Sequence, residues 1–145
     1  MKILLSSLIC ILAACILASC DPKIESSYYI ENLSNETIQL EIKTHSYYYN
    51  LDLYLQPDSS FILNDTLYAF KTLTNSQKVH LHYLSIYGRP KHMPKFKNEI
   101  KYLYSLKITG KSLTKDFKSE ANWVDYNSTN TYKEYIFQIN ETDIQ

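Results

Sequence analysis

Glycine is almost absent from this sequence of 145 residues, with Gly88 and Gly110 as its only examples. Loops that cradle phosphate groups need several glycines at fixed spacings, because glycine lets the backbone approach the phosphate closely. The glycine-flanked serine of a hydrolase nucleophile elbow is missing from the sequence as well. The sequence therefore excludes the common nucleotide-binding loops and the α/β-hydrolase type of active site.

Cysteine does not occur beyond residue 20. The three cysteines are Cys10, Cys15 and Cys20. No disulfide can therefore form within residues 21–145, and no thiol there can act as a nucleophile. This stretch of about 125 residues has the length of a single domain, and an apolar core has to stabilise it.

An excess of charge of either sign is also missing. The sequence contains 15 Lys and Arg against 15 Asp and Glu, and Arg89 is its single arginine. Nucleic-acid binding requires a basic surface. We therefore expect no nucleic-acid partner.

The first nineteen residues have the layout of a secretory signal. Lys2 supplies a positive charge, residues 3–19 are uncharged, and the run ends in small side chains, which is the order of regions in a signal peptide. A membrane-spanning helix is the alternative, since about 18 uncharged residues can just cross a bilayer. The signal is favoured, because no basic cluster or aromatic belt marks a second membrane interface.

Residues 17–20, Leu-Ala-Ser-Cys, resemble the lipobox of bacterial lipoproteins. Members of that family carry a diacylglycerol on the cysteine sulfur and are cleaved just before this cysteine. The resemblance implies lipidation of Cys20 and a membrane anchor made of several acyl chains, which hold far more firmly than one. Two alternatives stay open. Residues 12–15, Leu-Ala-Ala-Cys, are a second partial match. The other alternative is that Cys20 is an ordinary small apolar residue near a conventional cleavage site.

Short alternating segments follow residue 27. Ile38, Leu40 and Ile42 alternate with polar residues, a period of two that is typical of a half-buried strand. Similar patterns predict six further strands, over residues 28–31, 51–55, 61–63, 79–86, 102–108 and 132–139.

One short helix is predicted from Ser112, with Leu113, Phe117 and Ala121 on the same side. Many short strands without long helices between them favour an all-β fold, an antiparallel sandwich that is Ig-like or related. The expected organisation is a signal peptide over residues 1–19, a lipid anchor and tether over 20–27, and a β-sandwich domain over 28–145.

Several features together resemble the small lipoproteins of unassigned activity that are abundant in Bacteroidetes. They are the lipobox, the strand and turn of residues 30–38, the turn of residues 55–60, the single Trp123, and the closing segment 135–144. The resemblance implies an exported protein anchored by lipid to a bacterial membrane, with the outer membrane preferred over the inner one. Residues 65–67, Asp-Thr-Leu, further resemble the O-glycosylation motif of that phylum.

Two histidines have the spacing of metal ligands. His80 and His82 are alternate residues of a predicted strand, so they should project from one face and could form half of a zinc shell. His45 or His92 would have to approach in space to complete it. The favoured interpretation is that both are polar residues on the solvent face of the strand.

A basic, proline-flanked stretch runs from Arg89 to Lys97. Its prolines disfavour a helix or a regular ladder, which predicts an exposed loop with Met93 and Phe96 available for contact. Such a loop could meet anionic lipid headgroups or an acidic polysaccharide. A solvated loop without a partner is the favoured alternative.

Aromatic residues suggest a sugar-binding surface. Aromatic faces beside amide and hydroxyl groups can recognise sugars, and packing within the sheets is the alternative, favoured for Trp123. The candidates are Tyr47, Tyr48, Tyr49, Trp123, Tyr126 and Tyr132.

The sequence thus predicts a lipid-anchored envelope protein that acts as a binding or structural module and not as an enzyme. An accessory glycan-binding surface lipoprotein is the alternative, and an enzyme with a metal-assisted site is least favoured. We expect no catalytic residue, cofactor or bound metal. The expected partners are the membrane, through lipid at Cys20, and a glycan or an envelope protein.

Overall fold

Eight β-strands make up the fold in the computed structural model, which describes residues 23–46, 54–87, 96 and 100–145. Two 3-10 turns, Glu120–Asn122 and Glu141–Asp143, precede β7 and follow β8. Within the described ranges no helix is long and apolar enough to cross a membrane. The strands are β1 Lys23–Asn32, β2 Ile38–His45, β3 Ser59–Leu63, β4 Thr66–Leu73, β5 Lys78–Tyr87, β6 Leu103–Ile108, β7 Trp123–Tyr126 and β8 Tyr132–Ile139.

The strands form two four-stranded sheets. Sheet A has the order β5-β1-β8-β7 and sheet B the order β3-β4-β2-β6. All neighbouring strands are antiparallel except β1 and β8, which are parallel. The predicted all-β sandwich is confirmed.

Strand β1 lies inside sheet A and begins earlier than the sequence pattern suggests. Its residues from Lys23 pair with β5, and those from Glu25 pair with β8 as well. Ser26 and Ser27 pair with both neighbouring strands and are buried despite their polar side chains. Residues 23–27, which we expected to belong to a tether, are therefore part of the sheet.

An aromatic cluster occupies the core between the sheets. The ring of Tyr28 is fully buried and contacts Phe96, Trp123 and Tyr135, with centroids 5.2 to 5.9 Å apart. Tyr135 belongs to the inward row of β8 that the sequence predicted, since Phe137 and Ile139 are buried with it. The remaining core is aliphatic and includes Ile30, Ile38, Leu40, Ile42, Leu73, Leu81, Leu103 and Ile108.

A β-bulge at Leu81 changes which side chains of β5 face the core. Tyr29 pairs with His80 and Tyr28 with His82, so Leu81 has no opposite residue in β1. Such an extra residue reverses the alternation that follows it. Before the bulge, even-numbered residues of β5 face outward; after it, they face inward.

The helix predicted from Ser112 is wrong. Among the described residues 111–122 there is no α-helix, only an extended segment and one 3-10 turn. Ser112 exchanges backbone hydrogen bonds with Gln145, and Leu113 forms a β-bridge with Ile144. Pairing with this distant segment satisfies the backbone in place of helical bonds.

Candidate binding face

Aromatic rings gather on the outer face of sheet A. We call this surface the tyrosine face. Strands β1, β5, β7 and β8 each contribute to it, and Tyr54 packs over it from the segment before β3. It consists of Tyr29, Tyr54, His80, Tyr83, Tyr126 and Tyr132.

On the tyrosine face, His80 lies among Tyr29, Tyr54 and Tyr83. Its ring stacks on Tyr29 with centroids 4.6 Å apart, and Tyr54 is 4.8 Å away on another side. Tyr83 meets the same imidazole edge-on at 6.4 Å. Nε2 of His80 donates to the backbone oxygen of His82 at 2.9 Å, which fixes the orientation of the ring.

Lys78 lies between Tyr29 and Tyr126 on the tyrosine face. Its Nζ lies 4.7 Å from the ring centroid of Tyr29 and 5.9 Å from that of Tyr126. It also forms an ion pair of 3.4 Å with Glu134, which accepts a hydrogen bond of 3.2 Å from the hydroxyl of Tyr132. The face therefore presents rings, hydroxyls and a paired charge in one layer.

Burial favours the neutral form of two groups of the face. It lowers the pKa of His80, an effect that the hydrogen bond to the His82 carbonyl and the charge of Glu134 only partly oppose. Burial is also the main cause that raises the pKa of Tyr132. Both shifts favour the neutral form of the side chain, so His80 and Tyr132 can form hydrogen bonds with a neutral polar ligand.

His80 and His82 do not share a face, so that prediction is wrong. Because of the bulge at Leu81, His80 stays outside against Tyr29 while His82 turns inward, with its ring 6.0 Å from buried Tyr28. Burial lowers the pKa of His82 to about 4. Across the described residues, no group of three His, Cys, Asp or Glu side chains could hold a metal ion.

No protein-family model, curated protein or solved structure matches the chain significantly. The geometry of the described residues therefore carries the functional argument.

Trp123 lies in the core and not on a sugar platform. It is 6% exposed, and its Nε1 donates to the backbone oxygen of Phe117 at 2.8 Å. The packing alternative preferred for this residue is thus confirmed. Tyr126, three residues later, is 50% exposed, so the predicted aromatic group is split between the core and the surface.

Phe96 contradicts the prediction of an exposed contact residue in the basic stretch. It is buried against Tyr28, Trp123 and Tyr135. The rest of the stretch, at residues 89–95 and 97, lies outside the described residues. So do the signal region, Cys20, and Tyr47, Tyr48 and Tyr49.

A groove of about 570 Å³ runs between β6 and residues 111–117. Lys107, Lys111 and Lys115 line it. Two of these cations are paired, Lys111 with Glu36 and Lys115 with Asp143. Their carboxylate partners weaken the case for an anion site in this groove, so the tyrosine face is the better candidate.

Proposed function

We propose that the chain is a lipid-anchored envelope protein whose β-sandwich acts as a binding module at a bacterial membrane surface. The observation that supports this function is the short distance between the anchor and the fold. Lys23, the first residue of β1, comes three positions after Cys20. Three residues span about 10 Å at most, so a lipid on Cys20 would hold the sandwich directly against the headgroups.

In this arrangement the end of sheet A that contains the start of β1 meets the membrane. Lys23 pairs with Tyr87, and Glu25 pairs with Tyr132, so the start of β1, the end of β5 and the start of β8 lie together. Tyr87 is 78% exposed there. Tyrosine and lysine are common at membrane interfaces, because their apolar parts insert while their polar tips stay hydrated.

Basic residues follow this end of the sheet in the sequence, and they suit anionic headgroups. Lys23 itself is paired with Glu25 at 2.5 Å, so it brings no net positive charge there. The chain enters the basic stretch two residues after Tyr87. A lipid chain and nearby basic residues are a common pair of membrane attachments.

Replacing the proposed lipid acceptor tests the anchor. Cells that produce the wild-type chain, Cys20→Ala or Cys15→Ala are labelled with a fatty acid and separated into membrane and soluble fractions. We expect the wild type and Cys15→Ala to incorporate label and stay with membranes, while Cys20→Ala incorporates none. Label on Cys20→Ala at the wild-type level, or a wild type without label, would refute lipidation at Cys20.

We propose a neutral glycan as the ligand of this module, recognised at the tyrosine face. The supporting observation is the combination of half-exposed Tyr126 with the hydroxyl of Tyr132 and the paired Lys78 and Glu134. Sugars bind where an aromatic ring offers its face and nearby polar groups satisfy their hydroxyls.

Binding to a glycan array would test this ligand. Tyr126→Ala removes an exposed ring from the tyrosine face, and Tyr104→Ala removes a similarly exposed ring, 48% against 50%, from β6 in sheet B. We expect Tyr126→Ala to weaken glycan binding by roughly tenfold, as the loss of one aromatic contact does, and Tyr104→Ala to have no effect. Equal losses in both variants, or no binding by the wild type, would remove the glycan proposal.

A further inference from the structure

Strand β3 is an exposed, apolar edge. It pairs with β4 on one side and ends the order of sheet B. All five of its residues are exposed, including Phe61 at 51%, Ile62 at 65% and Leu63 at 54%. Large apolar side chains at this exposure usually mark a contact surface.

The other edges of the two sheets differ from β3 in the described part of the chain. Each carries at least one charged residue: Lys78 in β5, Lys107 in β6 and Asp125 in β7. Natural proteins use charge, proline and bulges on edge strands to prevent pairing with other chains. The sequence of β3, Ser-Ser-Phe-Ile-Leu, has neither charge nor proline, and its register with β4 is unbroken.

The turn after β3 determines which backbone groups face the open edge. Asn64 and Asp65 form a two-residue turn with φ of 47° and 59°, the type I′ geometry, in which the flanking residues Leu63 and Thr66 are a hydrogen-bonded pair. Antiparallel pairing alternates. The N–H and C=O groups of Ser60 and Ile62 therefore point away from β4.

We propose that β3 pairs antiparallel with β3 of a second copy of this chain, about a twofold axis at Phe61. In this register Ser60 faces Ile62 of the second copy, and Ile62 faces its Ser60. All the outward N–H and C=O groups of the two residues are then used, in four hydrogen bonds. The two copies of sheet B become one continuous eight-stranded sheet.

Side chains favour the same register. Phe61 already stacks on Tyr68, with centroids 4.7 Å apart and ring planes 5° from parallel. The two Phe61 residues form the non-hydrogen-bonded pair at the axis, where Cα atoms are about 4.5 Å apart and side chains approach most closely. The four rings Tyr68, Phe61, Phe61 and Tyr68 then form one row. No charge within β3 opposes a like charge across the axis.

The size of the contact makes this a dimer of the membrane-bound state. Three half-exposed apolar side chains bury on the order of 300 Å² per copy, well below the roughly 800 Å² per partner of a stable soluble complex. Confinement to a membrane raises the effective concentration of the two copies. To this extent the dimer rests on the proposed lipid anchor.

Disulfide cross-linking in membranes tests the pairing and its register. Ser59 and Leu63 of opposite copies face each other, whereas two copies of Ser59 lie about 13 Å apart, beyond the 7 Å limit of a disulfide. Two full-length variants, one with Ser59→Cys and one with Leu63→Cys, carry different epitope tags. They are produced together in the same cells, and the membranes are oxidised. When the two variants are produced together, we expect a disulfide-linked dimer that carries both tags. Either variant produced alone should give no more dimer than the wild type. The wild type measures the background that Cys20 contributes.

Proline provides the matched control for the backbone. Ser60→Pro removes an N–H that faces the open edge and leaves the ladder with β4 intact, so we expect loss of the cross-link with unchanged Trp123 fluorescence.

A folded, membrane-bound pair of cysteine variants that gives no mixed dimer overturns the edge pairing but does not contradict the lipid anchor. A dimer from Ser59→Cys alone overturns the register. If the chains are soluble, the anchor fails, and the same mixed cross-link at high protein concentration decides the pairing.

Discussion

The inward turn of His82 predicts a loss of stability in mild acid. Burial, and to a smaller extent the nearby His80, lower the pKa of His82 from 6.5 to about 4 in the folded protein. In the unfolded chain the imidazole regains its ordinary pKa. Between these two values the unfolded state binds a proton at residue 82 that the folded state does not. The free energy of unfolding therefore falls as the pH drops from about 6.5 towards 4.

The size of this effect follows from the difference between the two pKa values. A decrease from 6.5 to about 4 corresponds to about 3 kcal/mol at most, and partial exposure of the ring reduces it to about 2 kcal/mol. The carboxyl groups of Glu25, Asp58 and Asp143 have lowered pKa values, so their contributions are lost at lower pH. His80, whose pKa is also lowered by burial, adds to the loss in the same window.

Urea unfolding from pH 4 to 8, followed by the fluorescence of buried Trp123, measures this loss. In His82→Phe the ring contact with Tyr28 is retained and the titrating group is removed. We expect the decrease in unfolding free energy between pH 6.5 and 4.5 to be about 2 kcal/mol smaller in the variant than in the wild type. Parallel pH profiles for the two proteins would show that His82 does not titrate abnormally, and the reasoning from its burial would be wrong.

Two further substitutions test the fold. Nδ2 of buried Asn32 donates to the backbone oxygens of Glu36 and Leu73, and its Oδ1 accepts from the N–H and hydroxyl of Ser34. Asn32→Ala should lower the unfolding free energy by about 2–4 kcal/mol, and a urea midpoint close to that of the wild type would contradict this role. Gly110 has φ of 72° and no atom within 4 Å of an added Cβ. Gly110→Ala should therefore cost about 1 kcal/mol from backbone strain alone, and a calorimetric Tm at or above the wild-type value would argue against it.

Alternation of apolar and polar residues predicted the strands with one clean face. In β8 the inward Tyr135, Phe137 and Ile139 are all buried, and the predicted bounds of residues 132–139 agree with the structure. The same rule missed β4, because Tyr68 and Phe70 put large rings on its outer face and hide the period of two. It also missed β7, which has only four residues.

The tyrosine face could be predicted only in part. Tyr126 and Tyr132 were candidates because they flank a polar loop, but Tyr29, Tyr54 and Tyr83 join them through strand pairing and packing between distant segments. The separation of His80 from His82 depends on the bulge opposite Tyr28 and Tyr29. No local residue pattern predicts this bulge, because β5 contains neither glycine nor proline.

The parallel pairing of β1 with β8 joins residues that lie far apart along the polypeptide. Glu31 and Gln138, whose side chains bond across these strands, are separated by 107 positions. On the proposed export route the amino end leaves the cytoplasm first, and β1 then lacks one of its two neighbours until residues 132–139 have followed. Contacts of such long range also make folding slow. On that proposed route, sheet A would stay incomplete during translocation, as a channel that passes unfolded polypeptides requires.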